Sequence, residues 1–418
     1  MPIDRIDTPV RDNRKSKVGL VLSGGGARGA YEAGVLYYLF VEAPEELRAR
    51  VRFNVLSGTS IGALHATALG AGLHDPERQM RRVVDLWKSL SVEQVLSLQI
   101  QDLLSLSRWV LGRSKQQSIF PAEPITSLLG DMVDWDQLHL NLNRGLVEGI
   151  TISCTQVSTG KTAVFYETRD GRTRAFSRDP HVCPVYARLE MKHAQASAAI
   201  PFVFPPVSID GVAYADGGLR QNTPLSPALR LGSTRLLVVG MGHEKTLNHE
   251  EEVTEAKQRT SPVFLLAKVV NALMLDRVDY DLIRLDHFNR LLAQGENAFG
   301  SSFVDRLNQV LGPLRRSHYR NVPYLAIRPS RDLGEMAAEF LRHNTVRTRQ
   351  PLMARIIKLI ARLEHPKEAD LCSYLLFDGR FCERLINLGI QDARAQHSAL
   401  MRFFDPDLLK TRADSNTP

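Results

Sequence analysis

Cysteine is scarce in this chain: Cys154, Cys183, Cys372 and Cys382 are the four among 418 residues. None forms a C-x-x-C pair, so neither a disulfide framework nor a cysteine-based zinc site is indicated, and a reducing compartment fits best. Long apolar runs are missing too. The longest outside the N-terminal third, Pro262 to Leu275, is broken by Lys268 and Asn271, whereas a helix that crosses a bilayer needs about 20 largely apolar residues. The first twenty residues hold Asp4, Arg5, Asp7, Arg11, Asp12, Arg14, Lys15 and Lys17, with no apolar stretch behind a basic start, so no secretory signal is read there. Spaced zinc ligands and aromatic-rich RNA motifs are absent, which argues against nucleic acid as a partner. There is no internal repeat and no low-complexity tract.

What is present describes a globular chain. Hydrophobic residues make up 44% and charged residues 24%, which excludes a disordered or collagen-like polymer. A chain of this length buries a core without covalent staples. The net charge of +7 is local in origin: residues 315–362 hold eleven Lys/Arg and three Asp/Glu, a net of +8, leaving −1 for the rest. Such a face attracts anionic lipid or nucleic acid, or is simply the solvated side of helices.

Residues 1–16 read as a polar arm. Val18–Leu22 is a short apolar run suited to a strand buried on both faces. A glycine-rich turn and a helix over about 30–40 follow, then a strand over 51–56 and a helix from about Ile61. Strand–turn–helix twice over is the pattern of a parallel sheet in an α/β fold. Residues 91–119 crowd Leu96, Leu103, Trp109 and other apolar side chains before Arg113 and Lys115. That is either an amphipathic helix at a membrane surface or, preferred on periodicity, a helix packed on the domain's own core. Ile150–Thr155 and Ala163–Tyr166 read as a strand pair, 193–200 as an Ala-rich helix ended by Pro201, and 211–215 and 235–241 as strands. A long helical region is expected over 263–292. The chain from 246 to 418 is expected to be mainly helical, with one strand near 322–327 joining the core sheet.

Three motifs carry chemistry. Ser23-Gly24-Gly25-Gly26-Ala27-Arg28-Gly29 satisfies G-x-G-x-x-G loosely, but the acidic residue that a dinucleotide site needs at the end of the second strand is not there; Ser57-Gly58-Thr59-Ser60 stands in its place. Consecutive glycines at a helix start instead turn several N–H donors toward one negative oxygen, a phosphate or a tetrahedral oxyanion. Gly58-Thr59-Ser60-Ile61-Gly62 is a G-x-S-x-G between strand and helix, the context of a nucleophile elbow. Asp216-Gly217-Gly218 closes a strand and offers a carboxylate at what is expected to be a parallel strand's C-terminal end, placed to act as general base for Ser60. The order Ser60, Asp216, His243 also fits a Ser–acid–His triad, with His193 as a second histidine.

Together and in this order, GGGARG at 24–29, GTSIG at 58–62 and DGG at 216–218 resemble the patatin-like phospholipase family. Ala198-Ala199-Ile200-Pro201, Phe204-Pro205-Pro206-Val207 and Asn222-Thr223-Pro224 agree with it, and the specific likeness runs from about Lys17 to Met241. The resemblance implies a three-layer α/β fold with a mainly parallel central sheet, a catalytic domain over 17–245 and a helical C-terminal extension over 246–418. It implies a Ser–Asp lipid acyl hydrolase without cofactor or metal. Ser60 would be the nucleophile and Asp216 the base. Gly24, Gly25 and Gly26 would be the oxyanion donors, Arg28 and Gly29 the loop support, Gly58 and Gly62 the elbow glycines, and Gly217 and Gly218 part of the proton-acceptor motif. The expected substrate is a phospholipid or other acyl ester met at an anionic membrane surface, in the cytoplasm at the inner membrane face. A thioesterase or transacylase on the same pair, and a silent lipid-binding scaffold, are the alternatives.

Overall fold

The computed structural model describes residues 16–96, 118, 120–121, 123–173, 179–201, 203–243, 278–315, 318–363 and 369–405. The polar arm, most of the 91–119 segment, the helical expectation over 263–277 and the tail after Lys410 lie outside these residues.

Among the described residues nine strands form one sheet: β1 (Val18–Leu22), β2 (Val55–Thr59), β3 (Gly149–Gln156), β4 (Thr162–Thr168), β5 (Val182–Tyr186), β6 (Val207–Ile209), β7 (Val212–Asp216), β8 (Arg235–Val239) and β9 (Tyr324–Ile327). The path runs β5-β4-β3-β2-β1-β8-β9. From β3 through β9 every neighbouring pair is parallel, as is β4 with β5. β1 lies between β2 and β8, and all five of its residues are buried. That is why its sequence is a continuous apolar run rather than an alternation.

Helices cover both faces, so the protein has the three-layer α/β fold with a mainly parallel sheet. On one side lie α1 (Gly29–Tyr37), α2 (Ile61–Gly72), α3 (Pro76–Ser89) and, against α1, helix Gly379–Ala395 of the C-terminal region. On the other, Leu225, Ala228 and Leu231 and the Leu282 of helix Val278–Phe299 pack on Val21, Val55, Leu236 and Val238.

Two departures from the sequence reading matter for the site. The second strand begins at Val55, four residues later than the pattern over 51–56 implied, and runs on to Thr59. Its polar residues stay in the sheet because they have partners: Ser57 Oγ bonds Thr151 Oγ1 and the Pro224 carbonyl, and Thr59 Oγ1 the Gln221 carbonyl. Strand β7 is not parallel to its neighbour. A turn at Asp210-Gly211, both at positive φ, folds β7 back on β6, so β7 runs antiparallel to both β6 and β3.

That reversal positions the site. β2 pairs with one edge of β3 as far as Thr59 opposite Ser153. β7 takes over the same strand at the next position, with Asp216 opposite Cys154. Two strands of opposite direction thus end head to head on consecutive residues of β3. The residue after Thr59 is Ser60.

The basic stretch 315–362 is partly spent on structure. Arg320 donates to the Leu229 and Ser233 carbonyls, and Arg331 pairs with Glu339 at 3.1 Å.

Candidate active site

Ser60 has φ 54° and ψ −125° between β2 and α2, a conformation that costs a residue with a side chain roughly 1–3 kcal/mol. The strain is held by close backbone contacts on either side. A Cβ on Gly58 would collide with the Gly62 carbonyl, and one on Gly62 with the Leu22 carbonyl. The Ser60 N–H donates to Ser197 Oγ at 2.8 Å, and Ser197 Oγ donates onward to the Ser153 carbonyl at 2.6 Å.

Ser60 Oγ donates to Asp216 Oδ2 at 2.6 Å. The other carboxylate oxygen, Oδ1, accepts the Gly218 N–H at 2.7 Å. Asp216 is fully buried and Ser60 is 2% exposed. Burial pushes the Asp216 carboxyl up to about 7, against the opposing pull of the Ser60 and Gly218 hydrogen bonds. Gly217, directly after β7, packs on the Ser153 carbonyl and Thr59.

The glycine loop lies against this pair: a Cβ built on Gly24 would sit 3.1 Å from Ser60 Cβ. Its three glycines are not equivalent. Gly24 is clasped in both directions by Asn222, whose carbonyl accepts the Gly24 N–H at 3.1 Å and whose Nδ2 donates to the Gly24 carbonyl at 3.2 Å. The Gly24 amide therefore already has a backbone acceptor in this arrangement. The N–H groups of Gly25 and Gly26 have no acceptor among the described residues. Gly26 takes φ +54°, and its Cα faces the Tyr374 carbonyl so closely that no side chain fits. Gly29 opens α1 beneath Ile61.

Arg28, at the end of the loop, reaches partners outside the 17–245 region. Its guanidinium donates to Ser373 Oγ at 2.7 Å and to Asp370 Oδ1 at 3.1 Å, and lies 4.1 Å from the Tyr374 ring centroid. All three partners sit on helix Asp370–Leu375.

Neither His243, raised by chain order, nor His193, the second candidate, joins the pair. His243 Nδ1 donates to the Pro329 carbonyl at 2.9 Å, and His193 Nδ1 accepts the Glu190 N–H at 2.9 Å. Among the described residues no three His, Cys, Asp or Glu side chains stand close enough to share a metal ion, and no helix is long and apolar enough to cross a membrane. Sequence reasoning passed over Ser197 and the buried Glu32 and His65, and gave Asn222 no role of its own. For Glu32 and His65 the signal was a lone polar residue in an apolar helical run, as in Ala30-Tyr31-Glu32-Ala33 and Ala63-Leu64-His65-Ala66.

Comparison with known proteins covers the same elements. A curated cGAMP-activated phospholipase of Pseudomonas aeruginosa (strain BWHPSA011 / Pa011) is 30% identical over 215 residues, 49% of this chain and 53% of that protein. The chain thus spans about half the length of this curated relative. Among solved structures, VipD from Legionella pneumophila aligns over 92% of this chain and 67% of its own at 15% identity and TM-score 0.35. The human GIVD cytosolic phospholipase A2, solved with methyl gamma-linolenyl fluorophosphonate inhibitor and terbium chloride, aligns over 96% and 60% at 12% identity and TM-score 0.42. Those two likenesses are too low to bear on function. The model of the patatin-like phospholipases matches residues 20–229, a span that holds the glycine loop, the Ser60 elbow and the Asp216 strand end, and the chain belongs to that family.

Proposed function

We propose that this protein is a lipid acyl hydrolase that cleaves carboxylic ester bonds of glycerophospholipids with a Ser60–Asp216 pair. The observation that carries the reading is the 2.6 Å bond from Ser60 Oγ to an Asp216 carboxyl whose pKa lies near 7. An ordinary aspartate is a poor base for a hydroxyl, and one tuned toward neutrality is better matched to proton transfer at working pH. Asp216 Oδ2 takes the hydroxyl proton as Ser60 Oγ attacks the ester carbonyl carbon. The Gly25 and Gly26 amides stabilise the oxyanion, each such donor being worth about 3–4 kcal/mol. Collapse expels the lysolipid alcohol, which takes the proton from Asp216. Water then attacks the acyl-enzyme, Asp216 accepts its proton, and fatty acid leaves as the Ser60 hydroxyl is restored. The Gly218 N–H holds the carboxylate in plane for both transfers.

In this reading residues 17–245 form the catalytic unit, and the C-terminal region completes it through β9 and the anchor of Arg28. The basic stretch 315–362 draws the enzyme to anionic lipid. The curated relative is activated by cGAMP, so the assay includes that nucleotide. The test is labelling by a fluorophosphonate probe of wild type, Ser60→Ala and Asp216→Asn, with fatty-acid release from mixed phospholipid vesicles, each with and without cGAMP. Labelling that requires Ser60 and release lost in both variants is the expected result. A wild type that never labels, or a Ser60→Ala variant that still releases fatty acid, overturns the reading.

A further inference from the structure

A line of buried polar groups runs beneath the glycine loop, and the acyl-transfer steps use none of them. The Ser23 N–H, at the start of the loop, donates to Glu32 Oε1 at 2.7 Å. Glu32 Oε2 meets His65 Nδ1 at 2.9 Å. The Trp87 indole N–H donates to His65 Nε2 at 3.0 Å. Glu32 lies in the first turn of α1, His65 five residues after Ser60 on α2, and Trp87 on α3. All three are buried. At its far end the Trp87 ring stacks on Phe377, 6.3 Å between centroids and 13° between planes.

The chemistry of the line is fixed from that far end. An indole nitrogen only donates, so His65 Nε2 must present its lone pair. The ring then carries its proton on Nδ1 and donates it to Glu32. Glu32 is left as an acceptor at both oxygens. Burial keeps the ring neutral by lowering its pKa to about 3. The α1 N-terminus, within one turn of Glu32, favours a negative carboxylate. An apolar side chain would fill this contact between helices without the cost of burying a carboxylate; a fully matched polar line instead selects one arrangement.

We propose that Glu32 is a positioning residue for the glycine loop, with His65 and Trp87 fixing its carboxylate. α1 follows the loop and α2 follows Ser60, so the line ties the donor loop to the nucleophile turn just below the site. The inference rests on the acyl-transfer reading for its kinetic consequence, and on the hydrogen bonds alone for the tie itself.

Glu32→Gln keeps the shape and breaks the match. If the Gln oxygen serves Ser23, its NH2 faces the His65 Nδ1–H. If His65 reverses its tautomer to accept from that NH2, its Nε2–H faces the indole N–H. One donor–donor clash remains either way, unless Trp87 is also replaced. Two readouts test this: the second-order rate of fluorophosphonate labelling at Ser60, and backbone amide exchange of residues 23–26 by mass spectrometry. Glu32→Gln should label about tenfold more slowly and exchange faster at the loop, and Trp87→Phe should lose about two- to threefold. The double variant should recover to within about threefold of wild type, a non-additive rescue that loss of packing does not produce.

Glu32→Gln at the wild-type labelling rate with unchanged exchange overturns the proposal, as does a double variant slower than either single one. If Glu32→Gln does not fold, His65→Asn, whose amide replaces the Nδ1–H donor, should label faster than His65→Leu; equal rates overturn the proposal. If wild type does not label at all, the acyl-transfer reading fails, and loop exchange in the same variants decides the tie by itself.

Discussion

Two turns meet at Ser60, and different forces hold them. The elbow, Gly58 to Gly62, is fixed by backbone against backbone: the carbonyls of Gly62 and Leu22 occupy the space where a Cβ would stand. The glycine loop, Gly24 to Gly29, is fixed largely by side chains that arrive from elsewhere. Asn222 clasps Gly24, Glu32 holds the Ser23 N–H, and Arg28 reaches to Asp370 and Ser373. The elbow carries the strain, with Ser60 at φ 54°, and the loop carries the dependence on distant residues. A turn of the first kind is set mainly by its own close contacts and leaves no room for substitution at its glycines. A turn of the second kind depends in addition on residues far away in the chain.

Substitutions at the two turns should separate these behaviours. Gly62→Ala should have the largest effect, because the colliding Leu22 carbonyl belongs to a central strand and cannot step aside. The expected loss is about 4 kcal/mol or more of stability, read as a fall in the denaturant midpoint. A small shift would show that the elbow is soft and weaken the contrast.

Asp216→Asn, beside the elbow, should act in the opposite direction on stability. The folded carboxyl sits near pKa 7, against an ordinary value of 3.8. As pH rises from about 4 to 7 the unfolded chain releases its proton before the folded one does, so the wild type loses stability across that window and stays lowered above it. The variant has nothing to ionise there, so it should gain on the wild type between those pH values, by at most about a few kcal/mol at pH 8. The difference should shrink as pH falls toward 5, which denaturation curves at both pH values would measure. Activity has the reverse sign. On the proposed mechanism the base must be ionised, so wild-type labelling should slow about tenfold per unit below pH 7.

Arg28→Met tests the loop's reliance on the C-terminal helix Asp370–Leu375. It leaves Asp370 without the arginine, with an expected cost of about 3 kcal/mol and slower labelling. Stability lost with labelling unchanged would mean that Arg28 anchors the helix rather than the loop. The smallest effect is expected from Asp75→Ala, which removes an N-cap bond to the Arg78 N–H at 3.1 Å on α3. A cost of about 1 kcal/mol with labelling unchanged would show that lost stability alone does not slow the site.

Much of this arrangement was legible in the chain. The continuous apolar run Val18–Leu22 is a strand, and its five buried residues fit one covered on both faces. The strand–turn–helix order around Gly24–Gly29 and Gly58–Gly62 was equally readable. The direction of β7 was not. Val212 to Ala215 has the same pattern whichever way it runs, and the Asp210-Gly211 turn reverses it through pairing with β6. Nor was it visible that the Gly24 amide is occupied, because its acceptor is a carbonyl 198 positions away. Glu32 and His65 stood out only as polar residues in apolar helices, and their hydrogen bond spans two helices that periodicity treats separately.

The sequence by itself determined the local geometry: which segments are strands, where small residues let the backbone turn sharply, and which hydroxyl and carboxylate stand at strand ends. These follow from steric and hydrophobic rules that act over a few residues. Only the tertiary structure decided that the hydroxyl and the carboxylate share a hydrogen bond. Their strands end head to head on Ser153 and Cys154 of β3, and the burial that follows raises the Asp216 carboxyl toward neutrality. Register and burial belong to the assembled sheet, and no local rule of the chain contains them.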